Sequence, residues 1–263
     1  MAAITEYTKK KLVEYLYDGA NVLILFGHGL GDTVMFYPVF EALKSAYPKV
    51  KFDLYVECGQ EEVFGKVKRE EEKYDLVFSI NYPMSEHLTD KTKSEYCCIQ
   101  EIGIDPVLIN REFSKLPLCK SPLIALHFNS TALPGSVNCP SEVAEQLWLQ
   151  VVSAGFVPIE CHYQHVFHNP VNKKYDFVNN TVRGCKASIP ALIGLLQRCR
   201  GFIGVASGPL TIALSMYPER TLYLENSHRL STYTRDKRVG VISTRGTYDS
   251  DYVARWLDGL REG

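Results

Sequence analysis

Asn21-Val22-Leu23-Ile24-Leu25-Phe26-Gly27-His28-Gly29-Leu30-Gly31-Asp32 opens a stretch that runs on to Tyr47-Pro48. The apolar run from Val22 to Phe26 is short and breaks directly into a glycine loop, which is the pattern of a buried strand in a parallel sheet. Gly27, Gly29 and Gly31 predict a sharp turn that brings the backbone close to a ligand. The helix that follows is predicted from Met35, Val39, Leu43 and Ala46 at near-helical spacing, with Phe36 and Phe40 widening the stripe, and Pro48 stops it. A strand, a glycine loop and a helix N-terminus together make a place where an anion can sit. Asp32 stands out there, because a carboxylate repels a phosphate. Its two natural uses are to cap the helix or to take a proton.

Working outward, residues 5 to 18 predict a leading amphipathic helix that shows Leu12, Val13 and Leu16 on one face and stops at Gly19. A second strand is expected over residues 51–57, a charged helix over 61–73 and a third strand over 75–80. Residues 81 to 116 predict one helix within irregular chain. Pro117 and Pro122 flank the expected crossover between halves, after which the pattern restarts. A strand at 123–128 leads to a polar loop at 129–140, a helix at 141–154 and a strand at 156–161, with a further short strand near Phe177. Ser188 is read as the cap of a helix whose apolar face is Leu192, Ile193, Leu196 and Cys199. A strand at 201–205 then runs into Ser207-Gly208-Pro209-Leu210-Thr211, which opens another helix with Pro209 in its first turn. A strand at 221–224 and a final helix from Ser250 to Leu260 close the chain. Strands alternating with helices predict an α/β fold with parallel sheets and right-handed crossovers. Two similar halves, residues 1–118 and 119–263, each carry one ligand loop, and a cleft is expected between them. The last helix is a candidate to pack back on the first half.

The 29 basic residues against 30 acidic ones give no broad field for nucleic acid or membrane. The N-terminus shows no apolar signal core and no run reaches the length of a membrane span, so a cytoplasmic protein is expected. Eight cysteines lie scattered without Cys-x-x-Cys spacing, which predicts reduced, mostly buried thiols.

Four segments together resemble glycosyltransferase family 9, the heptosyltransferases of lipopolysaccharide synthesis. Gly29-Leu30-Gly31-Asp32, followed by Pro38, Leu43 and Tyr47-Pro48, resembles the family's first signature. Phe202 to Leu210 resembles its second, a strand that ends in a Ser-Gly-Pro turn. Ile124-Ala125-Leu126-His127 is similar to the strand that opens the family's second domain, and Lys186-Ala187-Ser188-Ile189 to the segment before the signature turn. The resemblance implies a GT-B-like architecture of two Rossmann-like domains facing a central cleft. Residues 1–118 would form the acceptor domain and 119–263 the nucleotide-sugar domain. It implies an inverting, metal-independent transfer of a sugar from a nucleotide-diphosphate sugar to an acceptor hydroxyl, with no cofactor. The family's base aligns with Asp32. The substrate-binding residues expected from the loops are Gly29, Gly31, His28, His127, Asn129, Ser130, Lys186, Ser207, Gly208, Leu210 and Thr211. Backbone N–H groups at Ser207, Gly208 and Leu210, with the helix dipole, would meet the charge of the leaving diphosphate. Pro209 has no N–H to give.

The chain departs from the family at the acidic residue of the second signature, which is Ala206, and at its histidine, which is Thr211. Ser136-Val137-Asn138-Cys139 replaces the basic residues of the first C-terminal loop. Lys186, Arg183 or the basic segment 235–238 could restore that charge. Sugar, base and acceptor stay open, the acceptor being a glycan, a small molecule or a modified nucleic acid. Loss of the two signature residues keeps alive a nucleotide-sugar-binding protein without transfer, and Asp32 could instead activate water in a nucleotide-sugar hydrolase. A dinucleotide site would want a glycine where Asp32 stands. Cys161, His162, His165 and His168 match no standard zinc spacing. Asp249-Ser250-Asp251 starts the last helix, which favours helix capping over metal binding. His28 and His127 are each read as a ligand contact or as a satisfied structural histidine.

Overall fold

The computed structural model describes residues 10–56, 60–81, 91–108, 121–130, 138–161, 189–246 and 248–262. The chain forms two units, one comprising Met1–Glu112 with Ser231–Tyr233, the other Phe113–Leu230 with Thr234–Gly263.

The first unit is built on β1 (Asn21–Phe26), which pairs in parallel with β2 (Lys51–Val56) on one side and β3 (Leu76–Ser79) on the other. As the middle strand of the order β2-β1-β3 it is covered on both faces, so Val22, Leu23, Ile24 and Phe26 are all fully buried. Helix α1 (Leu30–Ala46) buries Met35, Phe36, Val39, Phe40, Ala42 and Leu43 against this sheet. Ala42 takes the place expected for Ala46, which is exposed. The Phe26 and Phe36 rings stack 4.4 Å apart and lock the strand end to the helix.

Among the described residues the leading segment forms only a short 3-10 turn, Leu12–Tyr15, and not the helix expected over 5–18. Leu16 is already extended (ψ 144) and Gly19 turns the chain with φ 87, so Leu12 alone reaches full burial. The charged helix expected over 61–73 stops as α2 (Glu61–Phe64), because Gly65 takes a left-handed φ of 97. A 3-10 turn, Glu71–Lys73, then leads to β3. In the stretch of weakest pattern, α3 (Lys93–Tyr96) starts at a Thr92/Glu95 capping box and continues into a π-turn, Cys97–Ile102.

The second unit holds a parallel sheet in the order β5-β4-β6-β7-β8. Its strands are β4 (Leu123–His127), β5 (Val157–Glu160), β6 (Gly201–Gly204), β7 (Thr221–Glu225) and β8 (Gly240–Ser243). Helices α4 (Ser141–Ser153), α5 (Ile189–Arg198), α6 (Gly208–Met216) and α7 (Ser250–Glu262) accompany them. Strand β8 was not expected, although Gly240-Val241-Ile242-Ser243 alternates buried with exposed positions. The closing helix α7 packs inside this unit. Val253, Leu257 and Leu260 join the core around Trp148, and Gln150 Nε2 donates to Ser250 O at 2.9 Å. Ser188 and Phe177 lie outside the described residues. No helix among the described residues is long and apolar enough to cross a membrane.

Candidate active site

In a parallel sheet, ligands bind beyond the carboxyl ends of the strands, where the strand order reverses. In the first unit that point lies between the ends of β1 and β3. His28 spans it, with Nε2 3.0 Å from Ile80 O. A carbonyl can only accept, so Nε2 carries the proton. The ring also packs on Phe26 at 4.7 Å, and His28 O accepts from Gln60 Nε2 at 2.9 Å. Expected as a ligand contact, His28 is bound into the strand ends by these bonds.

Gly29 is the N-cap of α1, with φ −63 and ψ 163 and no capping side chain. None of Gly27, Gly29 and Gly31 takes a positive φ, so the turn does not depend on left-handed glycine. A Cβ built on Gly29 would meet no heavy atom within 4 Å. Open space beside the first turn of the helix is what the glycine supplies. Asp32 is the third helical residue and not the cap. Its carboxylate lies in the first turn, where the helix dipole favours an anion, and Lys93 Nζ donates to Oδ1 at 2.7 Å. The two side chains are 26% and 12% exposed, a partly sheltered ion pair. Tyr233 packs against the same core. Burial, and next the charge of Asp32, push its phenol above the usual value. Glu101 is raised chiefly by burial, against the Asn81 N–H that it accepts from and the nearby His28.

Lys93, Glu101, Gln60 and Tyr233 were absent from the sequence reading. The Thr92-x-x-Glu95 capping box was a legible start signal for the helix that carries Lys93. No local signal marks Tyr233.

In the second unit the order reverses between β4 and β6, and Val205 N–H bonds His127 O at 3.0 Å across that point. His127 is 5% exposed and Nδ1 lies 2.6 Å from Cys161 O, so Nδ1 is protonated and the ring is built into the strand ends. Asn129 is partly exposed. Ser130 is buried and its N–H bonds Asn138 Oδ1 at 2.8 Å. Asn138 O in turn accepts from Asn226 Nδ2 at 2.9 Å, and Asn226 Oδ1 from Arg245 Nε at 2.7 Å. This chain of bonds fixes the rim formed by three loops.

Ser207 caps α6. Its Oγ accepts from Leu210 N–H at 3.3 Å and donates to Val205 O at 3.0 Å. The Leu210 N–H, expected to face a ligand, is therefore engaged by the cap. Thr211 is 2% exposed; its N–H bonds Ser207 O and its hydroxyl donates to Gly208 O at 2.8 Å. Both residues, expected as ligand contacts, make these bonds within the first turn of their own helix. Among the described residues the N–H groups of Ser207 and Gly208 have no acceptor. Arg238, from the basic segment, is tied to Asp236 at 2.6 Å and lies 3.6 Å from Glu219. Lys186, Arg183 and His162, His165 and His168 lie outside the described residues.

The described cysteines 97, 98, 139, 161 and 199 are all buried thiols. Burial pushes the Cys139 thiol up to about 12 and those of Cys97 and Cys161 well above their usual value. Among the described residues no three metal-ligating side chains gather. Asp249 Oδ1 accepts from Tyr252 N–H at 2.9 Å and so serves the start of α7.

No family model and no curated protein matches the chain. Solved structures do. The chain is similar to E. coli ADP-heptose lipopolysaccharide heptosyltransferase II at 12% identity and a TM-score of 0.64, covering 92% of this chain and 100% of that one. It is similar to a glycosyltransferase family 9 protein from Veillonella parvula at 15% identity and a TM-score of 0.62, covering 86% of each. It is also similar to the dodecameric iron-containing heptosyltransferase TibC of E. coli, solved with ADP-D-beta-D-heptose, at 15% identity and a TM-score of 0.63, covering 92% of this chain and 66% of that one. At such identities the likeness establishes the fold, and the chain has the α/β, GT-B-like fold that its sequence leads one to expect.

Proposed function

We propose that the protein is a glycosyltransferase that moves a sugar from a nucleotide-diphosphate sugar to an acceptor hydroxyl with inversion. The observation that carries this reading is the carboxylate of Asp32, held at the carboxyl edge of a parallel sheet in a chain with this fold. Lys93 engages Oδ1, and Oδ2 is the oxygen left to receive the acceptor proton. As that proton departs, the acceptor oxygen forms its bond to the anomeric carbon and the bond to the diphosphate breaks. The second unit holds the donor along residues 127–130 and 207–208. The N–H groups of Ser207 and Gly208, at the positive end of α6, meet the charge of the leaving diphosphate. Helix dipole and backbone N–H groups can do this without a metal. TibC is an iron-containing neighbour, so metal dependence is a direct arm of the test. The acceptor is a glycan, a small molecule or a modified nucleic acid.

A second reading, a nucleotide-sugar-binding protein without transfer, is favoured by Ala206 in place of an acid and by Thr211 bonded into its own helix.

A thermal-shift panel of nucleoside diphosphates and nucleotide sugars, with and without EDTA, tests the donor site. Mass spectrometry of mixtures of the stabilising donor with candidate acceptors then follows. Metal-independent stabilisation and a sugar-bearing acceptor support the transferase. Stabilisation with no product in any mixture supports the binder, and free sugar would identify a hydrolase. No stabilisation by any nucleotide removes the reading.

A further inference from the structure

Lys93 holds the candidate base from far along the chain. It lies 61 residues from Asp32, on a four-residue helix in the stretch where sequence pattern is weakest. Isolated surface ion pairs form and break freely, but this one has a fixed frame. The Lys93 side chain is 12% exposed. The residues on either side of it are anchored. Thr92 is 1% exposed and its N–H bonds Glu95 Oε2 at 2.8 Å, while Ser94 Oγ donates to Met35 O on α1 at 2.8 Å. Below them Cys97, Cys98 and Ile102 of the π-turn are fully buried. The first position of a helix is electrostatically unfavourable for a cation, because the dipole is positive there. A lysine at that position, aimed at the first turn of another helix, is placed for its partner.

We infer that Lys93 is the positioning residue of Asp32. By holding Oδ1 it fixes the carboxylate in one rotamer and presents Oδ2 to the acceptor hydroxyl. Lys93 acts through Asp32 and does not itself touch the reacting atoms. The catalytic part of this inference rests on the transferase reading; the geometric part does not.

The test compares Lys93→Met, Lys93→Arg, Asp32→Asn and the double variant Lys93→Met/Asp32→Asn, each checked for a native melting transition. Misplacing a catalytic group by about 1 Å costs on the order of 100-fold. Lys93→Met is therefore expected to lower kcat by about 10- to 100-fold while acceptor KM and donor Kd stay within about threefold. Lys93→Arg keeps the charge and regains most of the rate. In the Asp32→Asn background, Lys93→Met changes the residual rate by less than about twofold, because the two act as one unit. Crystal structures of Lys93→Met and Lys93→Arg give the readout independent of turnover. Asp32 is expected to leave its rotamer in the first and keep it in the second. An unmoved Asp32 in Lys93→Met, or an equal loss of rate in the Asp32→Asn background, overturns the inference. A displaced Asp32 in a protein that transfers no sugar leaves the positioning intact and overturns the transferase reading instead.

Discussion

Lys93 Nζ donates to Asp32 Oδ1 at 2.7 Å, joining the first turn of α1 to the first residue of a short helix 61 positions further on. The pair is sheltered but not sealed, at 12% and 26% exposure. A hydrogen bond between charged groups in such a setting is worth on the order of 1.5–3 kcal/mol. It orders a carboxylate that would otherwise swing in solvent, at the edge of the sheet where chemistry is expected.

Asp32→Asn keeps the shape of the side chain and an oxygen for Lys93 but cannot take a proton. Transfer is expected to fall at least about 1000-fold, while donor affinity stays within a few-fold. Calorimetric titration of the donor alongside initial rates checks this. Loss of donor binding together with activity would remove the assignment of Asp32 as base.

In the second unit, Ser207 and Thr211 are expected to behave differently despite their closeness in sequence. Ser207→Ala removes an N-cap and is expected to cost about 1 kcal/mol of stability and to weaken donor binding several-fold as the first turn of α6 loosens. Thr211→Val removes a bond that the hydroxyl makes to its own helix. It is expected to cost about 1 kcal/mol and leave donor Kd within about twofold. Denaturant melts and donor titrations separate them, and an equal loss of affinity in both would return Thr211 to the ligand contacts.

Glu101 gives a pH signature. Burial raises its carboxyl above the ordinary 4.5, so the folded state binds its proton more tightly than the unfolded chain. Stability from this group is then lost as pH rises from the ordinary value through the folded one. Glu101→Gln removes the effect and can still accept from the Asn81 N–H. The variant is expected to melt near the wild-type temperature at about pH 4 and above it at about pH 7. A pH-independent offset in melting temperature would contradict this.

Two glycines separate fold from function. A Cβ on Gly204 would lie 2.7 Å from the Phe202 ring and 3.0 Å from His127 O, so Gly204→Ala is expected to destabilise by about 1–3 kcal/mol. Gly29→Ala meets open space at an ordinary φ. The weaker N-cap and the stiffer unfolded chain offset one another, and stability is expected to stay within about 1 kcal/mol. Transfer is nonetheless expected to fall more than about tenfold, because the added methyl fills the approach to the first turn of α1. Parallel melts and rates read both effects; a fully active Gly29→Ala would show that no ligand comes close there.

The order of elements was legible wherever burial is periodic. Val22 to Phe26, Leu123 to His127 and Gly201 to Val205 could only be parallel strands, because such runs need cover on both faces. The final helix showed in Val253, Leu257 and Leu260 at helical spacing, and the glycine loop and Ser207 turn marked the two helix starts of the candidate site. Over-long helices were expected where local propensity was strong, and the chain ended them at Leu16 and Gly65 for backbone reasons that amphipathic spacing does not register.

The sequence alone therefore determined two α/β halves, their parallel strands, and the placing of Asp32 and Ser207 at helix starts that follow strands, because hydrophobic period and capping chemistry are local. Only tertiary structure decided what Asp32 touches, since Lys93 comes from 61 residues away. Only tertiary structure decided too that Thr211 is buried, at 2% exposure, since the bonds of the Leu210 N–H and the Thr211 hydroxyl reach no further than Ser207 Oγ and Gly208 O, three residues back.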